Sequence, residues 1–158
     1  MNEPKLIQAT SPEEIDLARQ LFREYAAEIG LDLCFQGFEE ELRTLPGKYS
    51  APAGRLFLVV ENGAAVACGA LRPFQPEIAE MKRLYVCPAF RAHGYGRKLA
   101  ERLVSEARAI GYRSIYLDTH SSMLAARSLY ASLGFGKIDA YNQNPLPDVC
   151  YLRLDLTR

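Results

Sequence analysis

The stretch IAEMKRLYVCPAFRAHGYGRKLAERLVSEARAIG, residues 78–111, decides the fold. Ile78 to Val86 reads as a strand, and Pro88, which has no N–H for a ladder, ends it. Further on, Leu99, Leu103, Val104, Ala107 and Ile110 recur at helical spacing, and Gly111 caps that helix. Between strand and helix lies Arg91-Ala92-His93-Gly94-Tyr95-Gly96. A loop in that position exposes backbone N–H groups without intrahelical partners at the positive end of the helix dipole. Gly94 and Gly96 let the main chain bend and approach a ligand with no Cβ in the way. The segment is therefore a seat for phosphate groups, with Arg91 adding charge. It is not a G-x-x-x-x-G-K-S/T loop, and a G-x-G-x-x-G motif would need glycine where Leu99 stands. Taken alone, it reads equally well as a glycine-rich helix start with no ligand.

Working upstream, Asn62-Gly63 joins the strands Arg55–Glu61 and Ala64–Leu71, because both turn residues tolerate the positive φ of a type I′ hairpin. Pro73 and Pro76 break the chain before Ile78. Lys48 to Gly54 reads as a surface loop. A short helix from Gly37 to Leu45 is stopped by Pro46-Gly47. Before it, Ser11 as N-cap, Pro12 at the first helical position and Glu14 form a capping box. The stripe Ile15, Ala18, Leu21, Phe22, Tyr25 and Ile29 continues that helix to Gly30. Lys5 to Ala9 is a strand. Downstream come a strand at Ser114–Asp118, a helix at Met123–Leu133 capped by Gly134, and strands at Phe135–Ala140 and Val149–Leu156. In the last, Cys150, Leu152, Leu154 and Leu156 alternate with polar residues, the pattern of a sheet buried on one face. The elements run strand, two helices, three strands, helix, strand, helix, two strands. That order gives one mixed α/β domain over residues 1–158 and argues against a doubly wound dinucleotide fold.

Composition agrees with an ordinary globular domain: 158 residues, 49% apolar and 24% charged. Formal charge is zero, so no sequence-wide basic field exists to bind nucleic acid or an anionic membrane. No apolar run is long enough to span a bilayer, and the start lacks the layout of a secretory signal, which together point to the cytoplasm. Cys34, Cys68, Cys87 and Cys150 are scattered among apolar residues, and His93 and His120 complete no ligand set. The expectation is reduced cysteines, no disulfide and no metal.

Arg91-x-x-Gly94-x-Gly96 after a strand, followed by helix, strand and then Leu129-Tyr130-x-x-x-Gly134-Phe135, resembles the GNAT superfamily of N-acetyltransferases. The resemblance is firm from Ile78 to Ala140, and the element order extends it to nearly the whole chain. It implies an acyl-CoA N-acyltransferase fold, a mixed and mostly antiparallel sheet of about seven strands with helices on both faces. It also implies acetyl-CoA as acyl donor. The pyrophosphate would lie on N–H groups from Ala92 through His93, Gly94, Tyr95, Gly96 and Arg97 to Lys98, beside Arg91. The pantetheine arm would pair with the backbone of Leu84, Tyr85 and Val86 like an added strand. Homodimers are common among resembling proteins.

Acetyl transfer requires a base, because an alkyl ammonium with a pKa near 10 cannot attack. Ala79-Glu80-Met81 resembles the strand that carries the base in histone-acetylating members, which makes Glu80 the first candidate. Its alternative is a strand charge paired with Lys82 or Arg72. A backbone N–H near Val86 would stabilise the thioester oxygen. Tyr130 occupies the family's position for the acid that protonates the leaving thiolate; its alternative is a core aromatic. Met123 stands where many members carry an asparagine that holds the pantetheine arm. His93 is either a cofactor donor or a solvated loop residue. His120 either relays a proton near the acceptor opening or satisfies a local turn. Phe35, Phe38, Phe74, Tyr141, Asn142 and Asn144 are expected to build an aromatic acceptor pocket, which suits a small amine or amino-acid-like acceptor. Competing readings are a protein or peptide acetyltransferase, an acyl-CoA-binding sensor without turnover, and a nucleotide-binding domain.

Overall fold

The computed structural model describes residues 3–29, 37–144 and 146–157. Gly30, Cys34 and Phe35, each singled out from the sequence, lie outside the described residues. The chain runs β1 (Lys5–Gln8), α1 (Pro12–Ile29), α2 (Phe38–Thr44), β2 (Arg55–Glu61), β3 (Ala64–Gln75), β4 (Ile78–Val86), α3 (Tyr95–Ile110), β5 (Ser114–His120), α4 (Leu124–Ser132), β6 (Gly136–Lys137) and β7 (Val149–Asp155). The strands form one sheet in the order β1-β2-β3-β4-β5-β7-β6. Every pairing is antiparallel except β4 with β5.

Local chemistry accounts for the elements. Ser11 Oγ accepts the Glu14 N–H at 3.2 Å, and the Glu14 carboxylate accepts the N–H groups of Ser11 and Thr10 at 3.0 and 2.9 Å. That closes the capping box at the start of α1. Asn62 and Gly63 have φ of 53° and 81°, as the hairpin requires. The sheet is covered on both faces. Leu99, Leu103 and Ala107 of α3 pack with Phe57, Met81, Ile115 and Leu154 on one side. On the other, Ala18, Leu21 and Phe22 of α1 and Leu42 of α2 pack with Leu56, Leu58 and Ala70.

Two sequence-based boundaries differ. Pro73 does not break β3 but pairs with Ala79 in register; the last β3 pair with β2 is Arg55↔Leu71, so one edge of β3 is unpartnered there and tolerates a residue without an N–H. β6 is two residues long, because only Gly136 and Lys137 lie in register with β7, on its outer edge.

Two irregularities create the site. The parallel pairing of β4 with β5 covers only Ile78↔Ser114, Ala79↔Ile115 and Glu80↔Tyr116. Beyond Glu80, β4 stays paired with β3 as far as Val86, while β5 stays with β7 as far as His120. Their facing edges therefore diverge and leave an opening through the sheet. In the same part of β4, the register with β3 shifts between Cys68↔Tyr85 and Ala70↔Lys82, and Arg83 has a φ of 62°. This is a β-bulge, which puts the side chains of Lys82 and Arg83 on the same side, toward α1 and α2. A Cβ on Gly69, opposite the bulge, would lie 3.1 Å from Leu103 Cδ1 and 3.2 Å from Leu84 Cδ1. Arg83 is buried and pairs with both Glu41 oxygens at 2.9 Å, its guanidinium 5.2 Å from the Phe38 ring centre. That fork ties α2 to the bulge and offsets the cost of burying a charge.

Candidate active site

A groove of about 920 Å³ runs from the glycine loop into the opening between β4 and β5. At its outer end, Ala92 and Gly94 have φ of 71° and 81°, so the loop main chain curls its N–H groups inward. The first intrahelical bond of α3 runs from the Lys98 N–H to the Gly94 carbonyl at 3.0 Å. Tyr95, Gly96 and Arg97 thus have no N–H partner within the helix. The expected row of free N–H groups therefore ends at Arg97, since the Lys98 N–H is committed. Arg91, Ala92, Gly94, Tyr95, Gly96 and Arg97 line the groove, as do Leu84, Tyr85 and Val86 of β4. His93 and Lys98 do not. The His93 ring sits against Phe90 and Tyr95, centroids 6.3 and 5.5 Å away. The Tyr95 hydroxyl donates to Glu61 at 2.9 Å and fastens the loop to the end of β2.

Arg91 is already engaged. Its Nε donates to the Val86 carbonyl at 2.9 Å, one Nη pairs with Glu28 on α1, and its guanidinium lies 5.8 Å from the Tyr85 ring centre. It therefore straps β4 to α1 at the groove mouth rather than pointing at the loop. On the far wall Arg97 donates to Ser132 of α4 at 2.6 Å. Both arginines bracket the place where phosphate charge would sit.

Tyr130 and Glu80 do not line the groove; Tyr130 is 7% exposed and packs on Phe135 at 5.6 Å. Burial pushes its phenol well above the usual range, with Tyr25 and the charge of Asp118 adding to the rise. The hydroxyl is therefore protonated at neutral pH. Glu80 is buried at the last β4–β5 pair. Its Oε1 accepts Arg72 Nε at 2.9 Å and Nη2 at 2.8 Å, and its Oε2 accepts the Tyr141 hydroxyl at 2.7 Å. Both oxygens are thus occupied, by Arg72, one of the two pairings read as alternatives, and by a tyrosine from the loop after β6.

Two residues beyond that pair, on the same face, stand Lys82 and Asp118. Burial, reinforced by Arg83, brings the Lys82 ammonium down to about 8, against the opposing pull of Glu80 and Asp118. Asp118 accepts from Asn142 at 3.0 Å through Oδ2. Its charge helps raise the phenol pKa values of Tyr25, Tyr130, Tyr141 and Tyr151, which come from different segments. Sequence reasoning passed over Asp118; the polar alternation Tyr116, Asp118, His120 along β5 was the available signal. Of the expected acceptor residues, Phe74 and Tyr141 meet at 5.0 Å and are joined by Tyr116 and Tyr151, 5.1 and 5.3 Å from Tyr141. Asn142 bridges Asp118 and Tyr151. Phe38 instead belongs to the core under Arg83, and Asn144 accepts the Leu146 N–H in a turn at 2.9 Å.

Among the described residues no cluster of three or more His, Cys, Asp or Glu side chains could hold a metal ion. Cys68, Cys87 and Cys150 are free thiols. Among the described residues no helix is long and apolar enough to cross a membrane.

A helix N-terminus that presents free N–H groups to a groove, which then enters a split between two parallel strands, defines an acyl-CoA N-acyltransferase fold. The acetyltransferase (GNAT) family model matches residues 16–135, and the chain belongs to that family and is an N-acyltransferase. An uncharacterized N-acetyltransferase of Schizosaccharomyces pombe is 38% identical over 149 residues, covering 93% of this chain and 91% of the relative. A shorter match, 38% over 71 residues with 44% and 49% coverage, is to a ribosomal protein bS18-alanine N-acetyltransferase of Haemophilus ducreyi. Among solved structures, a GNAT acetyltransferase from Staphylococcus aureus superposes with a TM-score of 0.81 at 17% identity, covering 98% of this chain and 100% of the other. A Salmonella typhimurium acetyltransferase solved with its cofactor acetyl-CoA superposes with a TM-score of 0.69 at 22% identity, with 98% and 95% coverage.

Proposed function

We propose that this chain transfers the acetyl group of acetyl-CoA to the primary amine of a small or amino-acid-like acceptor, by direct attack on the thioester. The observation that carries the reading is the continuity of one groove from the free N–H groups of Tyr95 to Arg97 to the split beyond Glu80. The loop and Arg97 receive the phosphates, and the unpaired edge at Leu84, Tyr85 and Val86 holds the extended arm. Asp118 is the carboxylate that receives the acceptor, because among the described residues its Oδ1 accepts no hydrogen bond. It takes a proton from the acceptor ammonium, and the freed amine attacks the carbonyl carbon. As the C–S bond breaks, Tyr130 gives its proton to the departing sulfur. The second amine proton leaves to solvent. Glu80 holds Tyr141 and Arg72 in place, and a proton reaches it from the acceptor only by way of the Tyr141 hydroxyl.

The aromatic wall of Phe74, Tyr116, Tyr141 and Tyr151 beside one available carboxylate supports a compact amine over an extended peptide. A free-thiol release assay with acetyl-CoA and a panel of amines, amino acids and peptides tests this. Turnover with small amines is expected. Turnover confined to peptides would move the acceptor to the protein class. Thermal stabilisation by coenzyme A with no turnover on any amine would leave a binding module.

A further inference from the structure

The groove's inner wall on the α4 side is apolar: Met123, Leu124, Ala125, Ala126 and Leu129 all line it. An arm carrying two secondary amides cannot pass such a wall without losing hydrogen bonds to water. On the opposite wall the free edge of β4 supplies backbone groups. On the α4 side, Ser128 and Ser132 lie one and two turns along the helix, toward Arg97, and Ser132 is already bonded to it. Nearest the strand opening is His120, the last residue of β5, which lines the groove.

His120 is held in one orientation. The Ser122 N–H donates to Nδ1 at 3.2 Å, and Ser122 Oγ lies 2.6 Å from the same nitrogen. The turn beneath is braced by the Met123 N–H on the His120 carbonyl at 2.9 Å, the Ser121 N–H on Asp148 at 2.8 Å and Arg127 on the Ser121 carbonyl at 3.0 Å. A backbone N–H cannot reverse its role, so Nδ1 must accept, and the neutral ring carries its proton on Nε2. Among the described residues Nε2 has no partner. The turn-satisfying reading of this histidine thus accounts for one ring nitrogen and leaves the other as a fixed donor at the groove.

We infer that His120 is a donor-recognition residue: its Nε2–H hydrogen-bonds an amide carbonyl of the pantetheine arm from the β5 side of the split. The inference rests on the acetyl-CoA reading above. It makes His120 a determinant of affinity for the arm, independent of the phosphates and of acceptor identity.

Calorimetric binding of coenzyme A and of pantetheine, which lacks the nucleotide and pyrophosphate, tests it without any acceptor. His120→Leu should weaken coenzyme A binding about tenfold, the loss expected when a buried carbonyl goes unpaired. The same factor should appear for pantetheine, measured at the higher concentrations it needs. His120→Gln, whose side-chain amide offers an N–H at similar reach, should recover most of the loss. If Leu and Gln behave alike, or the Leu variant binds normally, His120 serves only its turn and the inference fails. If the loss appears with coenzyme A but not with pantetheine, the contact is to the phosphates and the assignment is wrong. No binding of coenzyme A by the unaltered protein would instead overturn the donor reading itself. Melting temperatures of both variants within a few degrees of the parent confirm that binding, and not folding, is being read.

Discussion

The strap formed by Arg91 gives the sharpest test of the groove. Its guanidinium is shared between Glu28 and the Val86 carbonyl, at side-chain exposures of 46% for Arg91 and 38% for Glu28. Phosphates arriving at the loop compete with Glu28 for that charge. An ion pair this exposed is worth about 0.2–1 kcal/mol, so releasing Arg91 before it can serve the ligand weakens binding by roughly 1.5–5-fold. Glu28→Gln should therefore tighten coenzyme A binding by about 1.5–5-fold. Removing any negative charge near a polyanion also helps directly. At a separation of roughly 10 Å in water that repulsion is about 0.4 kcal/mol per charge, and salt screens it further.

The two effects separate in an Arg91→Met background. Direct repulsion survives there, whereas competition for Arg91 does not. Calorimetric Kd values for the four proteins of this cycle, at 0.15 M salt, should show Glu28→Gln helping the parent about 1.5–5-fold more than it helps the Arg91→Met variant. Equal gains in both backgrounds would refute the competition. A loss of affinity on Glu28→Gln in the parent would mean that the pair belongs to the bound state.

Gly94 sits at φ 81°, where a β-branched side chain is strained, so Gly94→Val should lower the melting temperature as well as raise KM for acetyl-CoA. Gly96 has ordinary backbone angles, and a Cβ there meets Val86 and Leu129 at 3.7 and 3.8 Å; Gly96→Val should raise KM with little change in melting temperature, and an unchanged KM would remove the phosphate assignment. Tyr130→Phe and Asp118→Asn should each lower kcat by about 100-fold while coenzyme A binding changes by less than about threefold; normal turnover in either variant would make that side chain structural. Lys82 titrates near 8 in the folded protein against an ordinary 10.5. The unfolded chain therefore binds more protons between those values, and this residue makes stability rise with pH across the window, by at most about 1.4 kcal/mol per pH unit. Melting scans between pH 7.5 and 9.5 should show that rise, and Lys82→Met should flatten it.

Much of the fold was legible because its signals are local. A capping box needs Ser11 and Glu14 only, the hairpin needs Asn62-Gly63, and the α3 stripe needs one periodicity; each was found where the sequence placed it. The glycine loop before α3 was legible for the same reason, and Gly94 and Gly96 line the groove. What escaped depends on residues far apart in the chain. Glu80 is read correctly as a strand carboxylate, but its partner Tyr141 is 61 positions away, in a loop whose path no local pattern specifies. Arg91 reads as a free loop cation until α1 places Glu28 beside it. Asp118 looks like any polar residue on a half-exposed strand until β4 diverges from β5 next to it.

The bulge at Arg83 is the deepest of these hidden features, because it is a conformation that no glycine marks. The hint lies across the ladder, at Gly69, where a side chain would collide with Leu84 and Leu103. With a regular strand, Lys82 and Arg83 would point to opposite faces, and Arg83 would enter the apolar core under α3. The extra residue keeps both cations on the side of α1 and α2, where Glu41 takes up one and the charges of Glu80 and Asp118 act on the other. It also restores the alternation that sends Tyr85 toward α1 and leaves Leu84 and Val86 against α3. The left-handed φ of Arg83 costs about 1–2 kcal/mol. A single irregular residue thus separates the charged face of β4 from its apolar face, at the level where the strands part.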